Sequence, residues 1–450
     1  MITTVLDPAA DNVNVSVAGC SPATCRIGLL GLGNVGSAFA RQAREAAPHL
    51  AARGLAPVIS TALVRNISRP RPASAFVTTI TNDIDTFFSE PVDVIVEALG
   101  GVEPAYSLVR RALDRGIPVV TANKSLVAAY GDELAQLARR RATALRYEAS
   151  CVAGVPFLGM FERRPLAARA AGVTAILNGT SNSILTAMTS GMAFDAALAD
   201  AQRLGFAEPD PSMDISGADA AEKLAILVRL FGRLLVDPSA LPLASIDTIE
   251  PGDIAAAAAF GGAIRPVAQA SWQARALEAF VGPAFICGTH PLARVSGVTN
   301  GIVILGGQEP PARGAQCYIG PGAGPGVTAE TLLDDVAELM TERRVRTPSP
   351  EPSQTATSVS RPRSAWFARL SGAAVRSTGF RAGESDVADL LGAYGIRTTR
   401  LARRGDRTYL LTDSASDAQV QSALDAFQGD TRATAAAFPV VDAAAGDAAC

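Results

Sequence analysis

Short apolar runs alternate with stretches of helical period along the first third of the chain. "RIGLLG" (26–31), "VISTALV" (58–64), "VDVIVEAL" (92–99), "IPVVTAN" (117–123) and "ALRYEAS" (144–150) read as strands. Helical segments run from the first glycine turn to about Arg53, then at 104–115 and 125–142. Strands alternating with helices predict a parallel sheet covered on both faces. From about 156 to 317 the pattern changes to an α+β mixture. Helical runs sit at 181–204 and 217–235, and β-leaning runs at 172–178, 284–288 and 301–305. A glycine-rich turn at 318–326 precedes a helix at 328–343. Residues 345–363, "VRTPSPEPSQTATSVSRPR", read as a linker. Beyond it, strands at 365–375, 395–402, 407–413 and 433–441 and helices at 384–394 and 416–428 follow the βαββαβ order of a small ferredoxin-like module.

Composition narrows the classes of function. A chain of 450 residues has room for two or three domains, and 48% hydrophobic residues suffice for buried cores. A net charge of −3 and 5% aromatic residues argue against a nucleic-acid partner. No apolar run has the length of a membrane span, so no membrane partner is expected. The first 25 residues lack the basic start and apolar core of a signal peptide and read as a loose extension. The six cysteines, Cys20, Cys25, Cys151, Cys287, Cys317 and Cys450, form no CxxC pair, and His49 and His290 are the two histidines. That inventory argues against zinc and fits reduced thiols in a cytoplasmic protein, with Cys20 and Cys25 able to pair on oxidation.

Two stretches carry candidate chemistry. "GLGNVG" places Gly31, Gly33 and Gly36 after a strand and before a helix, with Asn34 and Val35 inside the turn. In that context the glycines permit a tight turn, close approach to a pyrophosphate and close helix–strand packing. The alternative is a glycine turn without a ligand. At the end of the second strand, "LVRNISRPR" supplies Arg65, with Arg69 and Arg71 nearby, where an acid would hold the ribose of NAD. A guanidinium suits a 2′-phosphate, so NADP is expected, with NAD as the alternative. Ordinary surface arginines would give the same pattern.

"LGFAEPDPSMDISGADAAEKLAIL" (204–227) gathers Glu208, Asp210, Asp214, Asp219 and Glu222 around Lys223. Asp219 and Lys223 are four apart and share a helix face. An exposed pair of this spacing stabilises by only ~0.3–0.5 kcal/mol. This helix continues as "LAILVRLF" and reads as buried, where unpaired charge costs several kcal/mol. Carboxylates can hold an α-ammonium group while a lysine gives a proton to a carbonyl oxygen. A magnesium site of Asp210, Asp214 and Asp219 is the alternative, although a lysine beside it would repel the ion.

Five segments in order, "GLGNVG", "VVTANK" ending at Lys124, "ILNGTSNSIL" (176–185), the acidic stretch at 204–227 and "GPGAG" (320–324), resemble the homoserine dehydrogenase family. The resemblance spans roughly Arg26 to Met340. It implies NADPH-dependent, reversible reduction of L-aspartate 4-semialdehyde to L-homoserine, on the route to threonine, isoleucine and methionine. It assigns acid/base chemistry to Lys223 and a place beside nicotinamide and substrate to Lys124. It assigns substrate binding to Glu208 and Asp219, with Asp214 close by, and cofactor contacts to Gly205 and Gly322. "NGTSN" (178–182) reads both as a helix cap and as a wall of the substrate pocket.

The resemblance also implies a monovalent cation, sodium or potassium, held by Glu148 and the carbonyls of Cys151, Ala153 and Val155. The chain departs from the family there, because Val152 and Ala153 stand where glycines are common. The implied assembly is a homodimer or homotetramer. Residues 1–25 are then an extension, 26–155 the Rossmann-type dinucleotide-binding domain completed by 318–344, and 156–317 the substrate and dimerisation domain. After the linker at 345–363, the module at 364–450 resembles an ACT domain, with threonine binding as one role and dimer formation as another, although the usual acid–x–Pro–Gly turn into a helix is missing and the chain reads "STGFRAGESDVADLL" at 377–391. Two other functions fit the same residues: a paralogue reducing another short amino-aldehyde, and a non-catalytic sensor of NADP and amino acid.

Overall fold

Each apolar run of the N-terminal series forms a parallel strand in the computed structural model, which describes residues 22–162, 168–306, 314–341, 353–371, 384–428 and 433–441. The strands are β1 (Ala23–Leu30), β2 (Leu55–Leu63), β3 (Val77–Thr81), β4 (Val94–Glu97), β5 (Val119–Thr121) and β6 (Leu145–Arg146). They pair in the order β3-β2-β1-β4-β5-β6, all parallel. The order reverses between β1 and β4, which opens a crevice at their carboxyl ends. Strand β3 is additional to the sequence expectation. Its "VTTIT" is only partly buried, so it lacks the apolar signature of a central strand. Ala23 to Cys25 belong to β1, which corrects the extension's boundary; residues 1–21 lie outside the described residues.

Helices α1 (Asn34–Glu45), α2 (Ala47–Ala52), α3 (Ile84–Ser89), α4 (Ala105–Asp114) and α5 (Lys124–Arg140) connect these strands. Helix α6 (Leu158–Glu162) leads into a second, largely antiparallel sheet. Its first strands are β7 (Ala170–Ile176), then β9 (Gly262–Gln273) and β10 (Ala276–Cys287), β11 (Thr299–Gly306) and β12 (Ala315–Pro321), with a short β8 (Leu234–Leu235) apart from them. The hairpin of β9 and β10 was legible only over 284–288, because Ala, Gly and Pro dilute its β-branched signal. The expected helix at 181–204 is two, α7 (Gly179–Met188) and α8 (Phe194–Arg203), interrupted at Gly191 with φ +87°. Helices α9 (Ser212–Ile215), α10 (Ala218–Leu227) and α11 (Pro251–Ala259) follow. Helix α12 (Pro325–Thr341) returns to the first sheet, where Ala329, Leu332, Leu333 and Val336 join the core under α1.

Part of the stretch read as a linker lies against the body of the protein. Strand β13 (Gln354–Thr355) pairs with β8, and β14 (Ser358–Ser360) pairs with β10. Strands β15 (Trp366–Ser371), β16 (Thr398–Arg404), β17 (Arg407–Thr412) and β18 (Thr434–Val441) form the C-terminal sheet in the order β18-β15-β17-β16, with helices Glu384–Ala393 and Asp417–Gln428 between them. Strand β18 also pairs with β10, at Phe285–Val440 and Ile286–Val441, so one sheet runs through both regions. The Phe367 ring lies 5.5 Å from that of Phe285 and 6.2 Å from that of Phe438. The first part of 377–391 lies outside the described residues. Cys25, Cys151 and Cys317 are free thiols, whereas Cys287 is disulfide-bonded, a departure from reduced thiols throughout.

Candidate active site

The glycine turn has the geometry its spacing predicts. Gly31 holds φ +97°, and its N–H donates to the Leu63 carbonyl at 3.0 Å, which ties the turn to the end of β2. A Cβ at Gly36 would stand 2.1 Å from the Gly31 carbonyl oxygen, so only glycine fits. A Cβ at Gly33 would meet nothing within 4 Å, and the space above the turn is open. Gly33 is the N-cap of α1 and no side chain caps that helix, so the amides of Asn34, Val35 and Gly36 head an uncapped N-terminus. These features fit a pyrophosphate. Arg65 is exposed two residues beyond β2, and Arg71 donates to the Asn66 and Arg69 carbonyls to hold that loop.

The acidic cluster is built across the two sheets. Lys223, on α10, is buried; its Nζ donates to Asp219 Oδ2 at 2.7 Å and to the Leu177 carbonyl at 2.8 Å. Lys124 begins α5, directly after β5, and its Nζ lies 3.2 Å from Asp219 Oδ1 and 3.8 Å from Glu222 Oε2. One buried carboxylate therefore links a lysine of the parallel sheet's helix to a lysine of the second region. Asn178 caps α7 through its Oδ1, and its Nδ2 lies 2.6 Å from Asp214 Oδ1 and 2.8 Å from Asp219 Oδ2. The expected cap and the pocket wall are thus one residue. Ser125 donates to Glu222, and Arg229 donates to the Val127 carbonyl across Gly131, so α5 and α10 are fixed against each other.

Burial alone would raise the Asp219 carboxyl, but Lys223, Lys124 and Asn178 outweigh it and hold its pKa down to about 2. Burial likewise disfavours charge on Lys124, yet Asp219 and Glu222 hold its pKa above the ordinary value. Asp214 is raised, chiefly by burial, against its hydrogen bond from Asn178. The site is an ionised acid between two lysines, beside a second acid with a weaker hold on its charge. Lys124 keeps 35% of its side chain exposed, against 10% for Lys223 and 11% for Asp219, so Lys124 forms the open side of the cluster.

Other expected residues fall differently. Glu208 is exposed on the loop after α8, and no ion pair joins it to the cluster among the described residues. Gly205, with φ +76°, ends α8, and its N–H donates to the Gln202 carbonyl; a Cβ there would meet nothing. Gly322 accepts from the Ala153 N–H at 3.0 Å, and a Cβ on it would lie 2.3 Å from the Asn300 amide, which joins the second glycine turn to the loop at 151–155. Within that loop Val152 takes φ +54°, a conformation that suits glycine, so here a β-branched residue accepts the strain.

Glu148 accepts hydrogen bonds from the N–H groups of Phe157, Leu158 and Gly159 at 2.6–2.8 Å, and the Ala153 carbonyl accepts from Thr331 at 2.5 Å. These donors occupy much of the oxygen set expected for a cation. Sequence reasoning also missed Glu97, wholly buried at the end of β4 and bonded to Thr121, Asn123 and the Leu99 N–H. An acid closing an otherwise apolar strand was the available signal.

Comparison with known proteins agrees with this geometry. A homoserine dehydrogenase family model matches residues 156–337, and the model of that family's NAD-binding domain matches residues 31–148. A homoserine dehydrogenase of Synechocystis is 35% identical over 70% of this chain and 73% of its own length. A homoserine dehydrogenase from Thiobacillus denitrificans superposes with a TM-score of 0.82 at 30% identity, covering 94% of this chain and 99% of that one. A hyperthermophilic archaeal homoserine dehydrogenase in complex with NADPH superposes with a TM-score of 0.58 at 26% identity, over 72% of this chain and 99% of that one. The chain therefore belongs to the homoserine dehydrogenase family, and its activity is that of a nicotinamide-dependent homoserine dehydrogenase.

Proposed function

We propose that the cluster reduces L-aspartate 4-semialdehyde to L-homoserine with NADPH, with Lys223 as the proton donor. The observation that carries this reading is the buried bridge from Lys223 through Asp219 to Lys124, which heads a helix of the dinucleotide-binding sheet. NADPH supplies the hydride to the aldehyde carbon. The turn at Gly31, Gly33, Asn34, Val35 and Gly36 would hold its pyrophosphate, and the exposed Arg65 guanidinium its 2′-phosphate. Gly205 and Gly322 would contact the cofactor through their backbones.

Lys223 gives its proton to the oxygen that gains charge as the carbonyl is reduced. Asp219 orients both lysines through its two oxygens until that moment. Asp214, with one oxygen engaged by Asn178, is the acid best placed to receive the substrate ammonium, and Glu208 joins it when the exposed loop meets substrate. In the reverse direction neutral Lys223 takes the hydroxyl proton.

A monovalent cation held by Glu148 and the carbonyls of Cys151, Ala153 and Val155 would take no part in the proton transfer; Glu148 and the Ala153 carbonyl keep acceptor capacity beyond their backbone and Thr331 donors. Among the described residues no helix is long and apolar enough to cross a membrane, which fits a cytoplasmic enzyme. A homodimer or homotetramer fits the open edge of β12, where Ile319 is 55% exposed, and light scattering checks it. The pairing of β18 with β10 supports a reading in which the C-terminal module reports threonine to the second sheet; inhibition by threonine that survives removal of 364–450 would exclude this. The deciding assay is NADPH oxidation with L-aspartate 4-semialdehyde, repeated with NADH. Turnover with NADPH exceeding that with NADH is expected, and no turnover with either would overturn the reading.

A further inference from the structure

We propose that Glu97 is a positioning residue for the reaction: its carboxylate sets, through Thr121 and Asn123, the first turn of α5 and hence the place of the Lys124 ammonium. The inference rests on the proposed role of Lys124. Glu97 is the last residue of β4, in register with Leu30 immediately before the glycine turn, so it sits on the floor of the crevice between β1 and β4. Its side chain is wholly buried, and no cation pairs with it among the described residues.

The carboxylate accepts from three directions. Thr121 Oγ1 donates to Oε2, while the Leu99 N–H donates to Oε1 at 2.8 Å and Asn123 Nδ2 reaches Oε1 at 3.4 Å. Thr121 Oγ1 in turn accepts from the Asn123 N–H at 2.9 Å. Asn123 is the N-cap of α5, its Oδ1 accepting from the Leu126 N–H, and Lys124 is the next residue. Asn123 Nδ2 also donates to the Gly101 carbonyl, so the loop after β4 is drawn into the same network.

A buried carboxylate without a counter-ion is costly. Burial pushes the Glu97 pKa up, against the hydrogen bonds that pull it down. A neutral apolar residue would close β4 at lower cost but would take from the Thr121 hydroxyl and the Leu99 N–H the acceptor they share. What the carboxylate supplies is a fixed origin for α5, on which the separation of 3.2 Å between Lys124 and Asp219 depends. Displacing a reacting group by about 1 Å can cost on the order of 10²-fold in rate.

The test is a double-mutant cycle in the full chain, read as kcat for NADPH oxidation, with NADPH binding by fluorescence and thermal melting as controls. Glu97→Gln keeps one acceptor, enough for Thr121 or for the Leu99 N–H but not for both, and should lower kcat about 10-fold; Glu97→Ala should lower it about 100-fold, with NADPH binding little changed. Either change, made on a Lys124→Ala background, should lower kcat by less than about 3-fold, because the group being positioned is gone. Equal losses in both backgrounds, or wild-type kcat in Glu97→Gln and Glu97→Ala, would overturn the inference. If Glu97→Ala does not fold, the cycle with Glu97→Gln decides. Should Lys124→Ala itself keep wild-type kcat, the reading of Lys124 fails, and that result is distinct from additivity.

Discussion

Two buried ionic clusters among the described residues hold their most buried carboxylates in opposite ways. At the active site one acid, Asp219, serves two cations, Lys223 and Lys124. Where the C-terminal strands meet α11, one cation, Arg369, serves two acids, Asp253 at 2.6 Å and Glu250 at 3.1 Å, with Arg407 closing on Glu250 from outside. Asp253 has no exposed side-chain surface, and burial pushes its pKa up to about 6 in spite of the Glu250 N–H and Arg369. Asp219 is almost as buried, yet its pKa is held to about 2. Two lysines on one carboxylate outweigh burial and keep Asp219 ionised, whereas at Asp253 burial outweighs Arg369, and that pair joins α11 to the C-terminal strands. Lys124 keeps 35% of its side chain exposed beside Asp219, whereas Arg369 beside Asp253 is 8% exposed.

The comparison can be broken in several ways. Asp253→Ala leaves Arg369 with Glu250 alone and should cost about 3 kcal/mol of stability, read from denaturant unfolding, while the folded fraction keeps near wild-type turnover. Lost turnover with unchanged stability would reverse the roles of the two clusters. The pH dependences should also be opposite. Asp219, depressed below the ordinary 3.8, contributes roughly 2 kcal/mol that is complete above about pH 4 and lost as pH falls toward about 2. Asp253, raised to about 6, binds its proton more tightly in the folded state. Its contribution, of similar size, is complete below about pH 4 and lost as pH rises toward about 6. Unfolding midpoints across that range should lose the upper decline in Asp253→Asn; an unchanged profile would show that Asp253 titrates normally. The smallest effect concerns cofactor choice: Arg65→Ala should raise the KM for NADPH about tenfold and leave that for NADH nearly unchanged. Equal changes for both would remove Arg65 from recognition of the 2′-phosphate.

What was legible in the sequence was local. Asp219 and Lys223 are one helical turn apart, and Gly31, Gly33 and Gly36 lie within six residues, so spacing alone predicted their geometry. The parallel series was legible because strands buried on both faces read as continuous apolar runs. The partners that fix the site are remote. Asn178 meets Asp219 across 41 positions, and Asn123 meets Glu97 across 26. A polar residue in such a network looks like an ordinary cap or turn residue until the chain is folded. The long β9–β10 hairpin was hidden for a different reason: its alanines and glycines pack under helices, and burial rather than propensity makes them strands.

The most direct test is the turnover of Lys223→Ala with NADPH and L-aspartate 4-semialdehyde, measured beside NADPH binding. The account predicts a kcat about 10³-fold below wild type with cofactor affinity retained, since a proton donor is lost and the glycine turn is untouched. Wild-type turnover in that variant would contradict it, because the buried bridge between Lys223 and Lys124 would then hold the protein together without taking part in its chemistry.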